Sequence, residues 1–359
     1  MKRFITTAVV AVLFTLAATA ATAAGGSNAP VGAVYTLSNA IANSVLVYDR
    51  ASDGSLSAAG AYSTGGTGSG APLGSQGSVV LSDDGRYLLA VNAGNSTVSA
   101  FAVDGDGLTL LNAVSSGGAT PISVAVSKQL VYVVNAGSQS ISGFTLDSDG
   151  LSPLAGSTQS LAGLGPAQIS FTPSGDTLVV TNKATSTIDT FAVGTGGIAG
   201  PAHSTPSTGN TPFGFDFDNK GHLLVSDANA GPGNSAATSY DVSATGVSPI
   251  SGPVLTGQGA ACWLIASKNG RYAFTANAGS GSISTFAVDP SGALSLAGTT
   301  SIGAGSHPLD AAISNNDQFL YDVADGQHLL VGYRIGSDGS LTQVASAAIP
   351  AGAAGLAAR

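Results

Sequence analysis

Glutamate is absent from this chain. All 20 acidic residues are Asp, set against 11 Lys and Arg, for a formal net charge of −9. Glu favours helices and Asp favours turns. The absence fits strands joined by tight turns, and any catalytic carboxylate must come from Asp. Charged residues of both signs amount to 9%, against roughly 25% in average soluble proteins. There is no basic stripe, which argues against nucleic acid as a partner. The single cysteine, Cys262, excludes an internal disulfide. Past the N-terminal leader, no apolar run is long enough to span a bilayer. Gly, by contrast, is plentiful at 50 of 359 residues, about twice its usual share of roughly 7%. Low charge and high Gly also occur in disordered chains. Here 43% hydrophobic residues, set in regular short runs, indicate a packed β protein instead.

The N-terminus reads as a targeting signal. Lys2 and Arg3 give a positive start, residues 4–18 an uncharged and mostly apolar run, and Ala21-Thr22-Ala23 the small residues a signal peptidase needs. The expected organisation is a signal peptide at 1–24, a short linker at 25–30 and one domain over 31–359. The chain is expected to be exported to the periplasm or the cell exterior. No Cys lies near the cleavage site, so a lipoprotein anchor is not expected.

A repeat organises the rest. Gly54, Gly107, Gly150, Gly197, Gly246, Gly292 and Gly339 follow one another at intervals between 43 and 53 residues. An aromatic stands six residues before each: Tyr48, Phe101, Phe144, Phe191, Tyr240, Phe286 and Tyr333. An aliphatic residue follows each Gly by one or two places. Upstream, an Asn or Asp ends a short apolar run: Asn39, Asn92, Asn135, Asn182, Asp227, Asn277 and Asp325. The clearest unit predicts four strands, at 78–81, 87–91, 97–103 and 108–114. Short antiparallel strands in fours, at a period in the forties, define propeller blades. The fold class is all-β, a seven-bladed β-propeller. The chain begins its repeat at a second strand (31–37) and ends at 350–359 with a segment like the Pro-led first strands. That C-terminal strand is expected to close the N-terminal blade.

In this order the first strand of each blade lines the central channel. The turns between strands one and two carry Arg86, Lys128, Lys220, Lys268 and Arg271. The opposite face carries the repeated Asn and Asp residues, and its blade-to-blade loops add Gln76, Gln168, Gln258, His307 and Asp310. Ligand sites of such rings gather where loops converge at a channel mouth, and the Asn-bearing face is the expected one. The Asn residues also have a structural reading, bonding the turns that follow them. Asp227 and His307 are the catalytic candidates, as possible bases. Lys183, Asn182, Asn277 and Asp310 are candidate substrate-binding groups. Lys183 and Asp227 could instead pair with each other. Asp216 and Asp218 alternate with Phe215 and Phe217, as a carboxylate pair or as one turn cap. Cys262 and Trp263 read as core. The Gly-rich run 65–70 reads as a flexible loop between blades. No metal-ligand spacing appears, and no cofactor is expected.

The blade text LLAVNAGNSTVSAFAVDGDGLTLL resembles the lactonase-type seven-bladed propellers, including 6-phosphogluconolactonase-like and 3-carboxymuconate cyclase-like proteins. The resemblance runs over the whole chain past the leader and is strongest in TNKATSTIDTFAV, TPFGFDFDNKGHLLVSDANAG and AACWLIASKNGRYAFTANAGSGSIS. It is similar to the exported bacterial branch. The resemblance implies hydrolysis or isomerisation of a sugar-derived or carboxylated lactone by a Glu working with His and Arg. Relatives carry Glu where this chain has Asn182 and Asp227, so Asp227 would serve as a shorter carboxylate. The alternative is a non-catalytic binding or scaffold propeller outside the cytoplasm. The expected partner is a small lactone or sugar acid, and the expected state a monomer.

Overall fold

The computed structural model describes residues 29–105, 107–229 and 233–359. The leader expected at 1–24 lies outside them. Among the described residues the chain forms seven antiparallel sheets arranged as propeller blades. The second blade shows the pattern, with strands Val79–Leu81, Tyr87–Asn92, Thr97–Asp104 and Gly107–Ser115. Every strand boundary there lies within one residue of the sequence expectation. In the third blade the outer strand is broken into Gly150–Pro153 and Gln159–Ser160, both paired with Ser140–Asp147. Pro153 has no N–H to continue the ladder. Pro121, Pro166, Pro212 and Pro308 each open a channel-lining first strand. Pro72 does not, because a long connection separates it from Val79.

Side chains alternate across each strand, so every blade has two faces to bury against two neighbours. The buried residues accordingly fall into seven apolar clusters, one at each interface between blades. The cluster between the last and first blades also takes in Ala167, Phe213 and Trp263 around the channel. The repeated aromatics are all buried. In five blades the aromatic marks a shift in register between the third and fourth strands. Such a bulge bends the outer edge and discourages pairing with another sheet.

The repeated Gly has two reasons to be Gly. At Gly54 φ is +93°, and an added Cβ would lie 2.3 Å from the Phe319 ring of the preceding blade. The other repeat glycines also sit at positive φ, except Gly107, whose turn takes positive φ at Gly105 instead. The blade-marking turn is thus also a blade-packing contact.

The ring closes as expected. Strand Ala354–Ala358 pairs with Gly32–Leu37 to complete the first blade. The Thr36 hydroxyl donates to the Gly355 carbonyl at 2.7 Å, and Arg50 Nε donates to the Arg359 carbonyl at 3.1 Å. Two of the presumed strand-ending anchors work here instead. Asn39 donates to the Gly352 carbonyl at 3.3 Å, and Asp325 accepts from the Gly352 N–H at 2.9 Å. In those two blades the anchor stands past the strand end. Deleting residues 350–359 removes a channel-lining strand and exposes the first-to-last interface. We expect Tm to fall by about 10 °C or more, measured by calorimetry, and an unchanged Tm would refute closure by this strand.

Candidate functional site

The Asn-bearing face does not hold an open mouth. The connection from the first blade to the second folds across the channel there and seals it. Trp263 Nε1 donates to the Ser75 carbonyl at 2.9 Å, and Lys183 Nζ donates to the Gly74 carbonyl at 2.6 Å. Gln76 reaches the opposite wall, donating to the Leu264 carbonyl at 2.7 Å and accepting from the Leu264 N–H at 2.9 Å. Gln168 braces the same wall, accepting from the Phe215 N–H at 2.7 Å. Gly214 makes room for the Gln76 amide, since a Cβ there would meet Gln76 Oε1 at 2.1 Å. The Gly-rich run 65–70, read as flexible, is tied down as well: the Gly68 N–H donates to Ala40 and the Gly70 N–H to Asn39.

Below this seal the channel opens on the opposite face as a cavity of about 600 Å³. Gln76 and Gln168 reach its inner end. The turns between strands one and two form its mouth, with Lys268 and Asp84 among its residues, and Arg359 joins them at the chain end. The walls are aliphatic first-strand residues, broken by two carboxyl groups, Asp216 and Asp310.

These carboxyls are held close to neutral. Burial pushes Asp310 up to about 7, against the pull of the Gly355 and Gly77 N–H groups on its oxygens at 3.0 and 3.4 Å. Burial pushes Asp216 up to about 6, opposed by the N–H groups of Ala266 and Phe217 at 2.9 and 2.8 Å. Lys268 stands at the rim with Nζ donating to Asn315 Oδ1 at 2.6 Å, and burial lowers its pKa. Asp218 takes no part in the cavity. It caps the next turn, accepting from the Lys220 and His222 N–H groups, with His222 Nδ1 2.7 Å from its other oxygen. Asp216 and Asp218 are therefore a cavity residue and a turn cap, not a pair.

Of the catalytic and substrate-binding candidates, Asp310 alone lines this cavity, joined by Asp216 from the expected carboxylate pair. Asn277 is fully buried, donating to the Ser282 and Ser284 hydroxyls at 3.1 and 2.9 Å. Asn92 does the same with Thr97 and Ser99. The recurring Asn bonds hydroxyls of the next strand, not its own turn backbone. Asn182 is equally buried, yet neither amide atom has a partner. In its blade the hydroxyl position is taken by Asp189, whose Oδ2 accepts from the Ala162 and Gly163 N–H groups. Asp227 fills the Asn position of the fifth blade. It is 1% exposed, its Oδ2 accepts from the Thr238 hydroxyl at 2.5 Å, and burial pushes its pKa up to about 7. Lys183 lies 4.7 Å over the Phe213 ring and belongs to the seal. The ion pairs among the described residues are Arg86–Asp84 and His222–Asp218, so Lys183 and Asp227 do not pair. His307 is exposed, with φ +46°, in the same pre-strand position as Thr120, Thr211 and Ala260. Sequence pattern offered Asp216 only as a partner of Asp218, and did not indicate the face on which the cavity opens. The Phe-Asp-Phe-Asp alternation was the available signal for Asp216.

Such a ring, with acids inside a channel sealed at one end, defines a propeller with a single-ended channel cavity. The profile described as "Lactonase, 7-bladed beta-propeller" matches residues 32–159, 150–232 and 225–355, and the chain belongs to that family. No curated protein matches the chain significantly. Among solved structures, it is similar to the periplasmic gluconolactonase of Pseudomonas aeruginosa at 18% identity and TM-score 0.71, covering 90% of this chain and 98% of that one. A Bacteroides uniformis protein assigned as a 6-phosphogluconolactonase aligns at 19% identity and TM-score 0.71, over 89% of this chain and 97% of that one. These identities speak for the fold.

Asp227 also has a consequence for stability. Its folded pKa is raised, so the fold holds it neutral up to about pH 7; the resulting stability is fully present below about pH 4 and is lost as pH rises through about 7. Asp227→Asn restores the residue found in other blades and removes that ionisation. We expect the variant to gain up to about 4 kcal/mol at pH 8 and little at pH 4. Urea unfolding at the two pH values measures this, and an equal effect at both would overturn the assignment.

Proposed function

We propose that the chain is an exported lactonase acting on a sugar-derived or carboxylated lactone inside the channel cavity. The observation that carries the reading is the pair of carboxyl groups, buried Asp310 and half-buried Asp216, lining one cavity of a lactonase-family propeller. The cavity volume falls in the range of small-ligand sites. The N-terminal Lys2-Arg3, apolar run and Ala-Thr-Ala stretch support export.

Ester hydrolysis needs a base for the attacking water and an acid for the leaving oxygen. Near neutral pH the group with the lower pKa, Asp216, is the ionised base, and Asp310 holds a proton. Asp216 takes a proton from water as the water oxygen bonds to the lactone carbonyl carbon. The ring C–O bond then breaks, and Asp310 protonates the departing oxygen to leave a hydroxy acid. Two acids of separated pKa in one cavity are the usual arrangement for such a division of roles. Lys268 at the rim would hold the substrate's anionic group. The alternative reading, a propeller that binds without turnover, differs in one measurable respect, since it retains ligand but forms no hydroxy acid.

A lactone panel tested with the purified chain decides between them. We expect saturable turnover with a narrow bell-shaped pH profile whose limbs lie near 6 and 7. Asp310→Asn and Asp216→Asn should each lower kcat by about 100-fold or more. Asp227→Asn and His307→Ala should leave at least half the rate. Loss of turnover in the second pair with survival in the first would move the chemistry to the Asn-bearing face.

A further inference from the structure

We propose that residues 74–77 act as a hub that holds Asp310, the acid of the lactonase reading on which this proposal rests, with Gln76 as its positioning residue. These consecutive residues bond to five blades other than their own. The Gly74 carbonyl accepts from Lys183 of the fourth blade at 2.6 Å. The Ser75 hydroxyl donates to the Ile122 carbonyl of the third at 2.9 Å, and the Ser75 carbonyl accepts from the Trp263 indole of the sixth at 2.9 Å. The Gln76 N–H donates to the Ala167 carbonyl of the fourth at 3.1 Å. Its amide donates to the Phe215 carbonyl of the fifth at 3.3 Å and the Leu264 carbonyl of the sixth at 2.7 Å. The Gly77 carbonyl accepts from the Val124 N–H of the third at 2.9 Å. The Gly77 N–H donates to Asp310 of the seventh at 3.4 Å.

The other oxygen of Asp310 accepts from the Gly355 N–H at 3.0 Å, on the strand that completes the first blade. Two backbone donors from other blades thus fix a carboxyl that is 3% exposed and has no cation partner among the ion pairs of the described residues. Both donors belong to glycines at positive φ, +80° at Gly77 and +73° at Gly355. A Cβ at Gly355 would lie 2.2 Å from Ser78 Oγ, the residue that follows the hub. The Trp263 indole that holds Ser75 also favours the ionised form of Asp310. The remaining titratable groups around Asp310 lie outside the hub. They are buried Asp322 on the neighbouring strand, Cys262 beside Trp263, Asp325 bonded to the Gly352 N–H, and Asp216, Lys268 and Arg359 around the cavity.

A plug alone needs only to fill the mouth. Residues 74–77 do more, because the segment that closes the inner end also supplies one of the two donors that aim the acid. Burial is the largest cause of the raised pKa of Asp310, and the N–H groups oppose it. Loosening the hub admits water and releases the Gly77 donor. The gain of water outweighs the lost donor, so the carboxyl moves toward its ordinary acidity. Its aim is lost as well, and a reacting group misplaced by about 1 Å costs up to about 100-fold in rate. Lys183 and Trp263 hold the segment from either side, so they act on the acid only through it.

Carbon NMR of the whole chain labelled in its Asp carboxyl groups tests this, with the Asp310 signal assigned by Asp310→Asn. We expect its midpoint near 7 in the parent. Gln76→Ala and Lys183→Met should each lower it by about one pH unit or more. Where lactone is turned over, kcat should fall by about tenfold or more with KM nearly unchanged. Should Gln76→Ala not fold, Lys183→Met carries the test, since it removes only the bond to Gly74 and a ring contact. Tyr132→Phe breaks bonds to Gly197 and Ala199 between the third and fourth blades. It should lower Tm and leave the Asp310 midpoint in place. A midpoint unmoved or raised in a folded hub variant, or lowered equally by Tyr132→Phe, would overturn the proposal. The titration needs no substrate, so it decides the hub separately from lactone turnover, whose absence overturns the reading of Asp310 as the acid.

Discussion

The structure depends on the packing of each blade against the next around a closed circuit. A single four-stranded blade has two apolar faces and cannot bury either alone. Seven in a ring bury all of them, provided the last meets the first. That condition falls on one short segment, Ala354–Ala358, which pairs with Gly32–Leu37 although the two stand at opposite ends of the sequence. The repeat glycines serve the same condition. Each lets its turn approach the preceding blade, as Gly54 does at Phe319. Outer-edge bulges follow from it too, because an edge that packs against nothing must discourage foreign strands.

The ring leaves a channel, and the chain treats its two ends differently. One end is filled by the connection between the first two blades, held by Trp263, Lys183 and the two glutamines. Polar groups in this seal are satisfied almost entirely by backbone partners from distant blades, which a buried loop requires. The other end stays open and concentrates the acids and bases. Desolvation within the cavity brings carboxyl groups near neutral pKa without any Glu in the chain. One end of the channel therefore opens into the acid-lined cavity, and the other is closed by the seal.

Departures from the repeat carry more information than the repeat itself. Asn at the end of the second strand bonds two hydroxyls and is structural in the second and sixth blades. In the fourth blade Asp189 takes the hydroxyl position, and Asn182 is left unpartnered. In the fifth, Asp227 replaces Asn and carries a desolvated carboxyl. Asn39 and Asp325 clasp the closing segment. The same sequence signal thus performs three different tasks, according to what each blade places beside it.

Local sequence determined the strands, their number per blade, the seven-fold repeat and the identity of the closing segment. These features rest on short-range causes: alternation of apolar residues, turn-forming Asp and Gly, and an aromatic at fixed spacing. Tertiary structure alone decided which channel mouth is open. That depends on a contact between Gln76 and Leu264, 188 residues apart. Spacing in the chain carries no trace of such a contact. The same holds for Asp216, which pattern could only group with Asp218 and which becomes a near-neutral acid through burial between first strands of adjacent blades. Lys183 and Asp227, expected as a binding group and a base or as a mutual pair, are separated by the fold: the folded connection covers one and a tight hydroxyl contact encloses the other. Desolvation is a property of surroundings assembled from several blades, and residue type and spacing do not encode it.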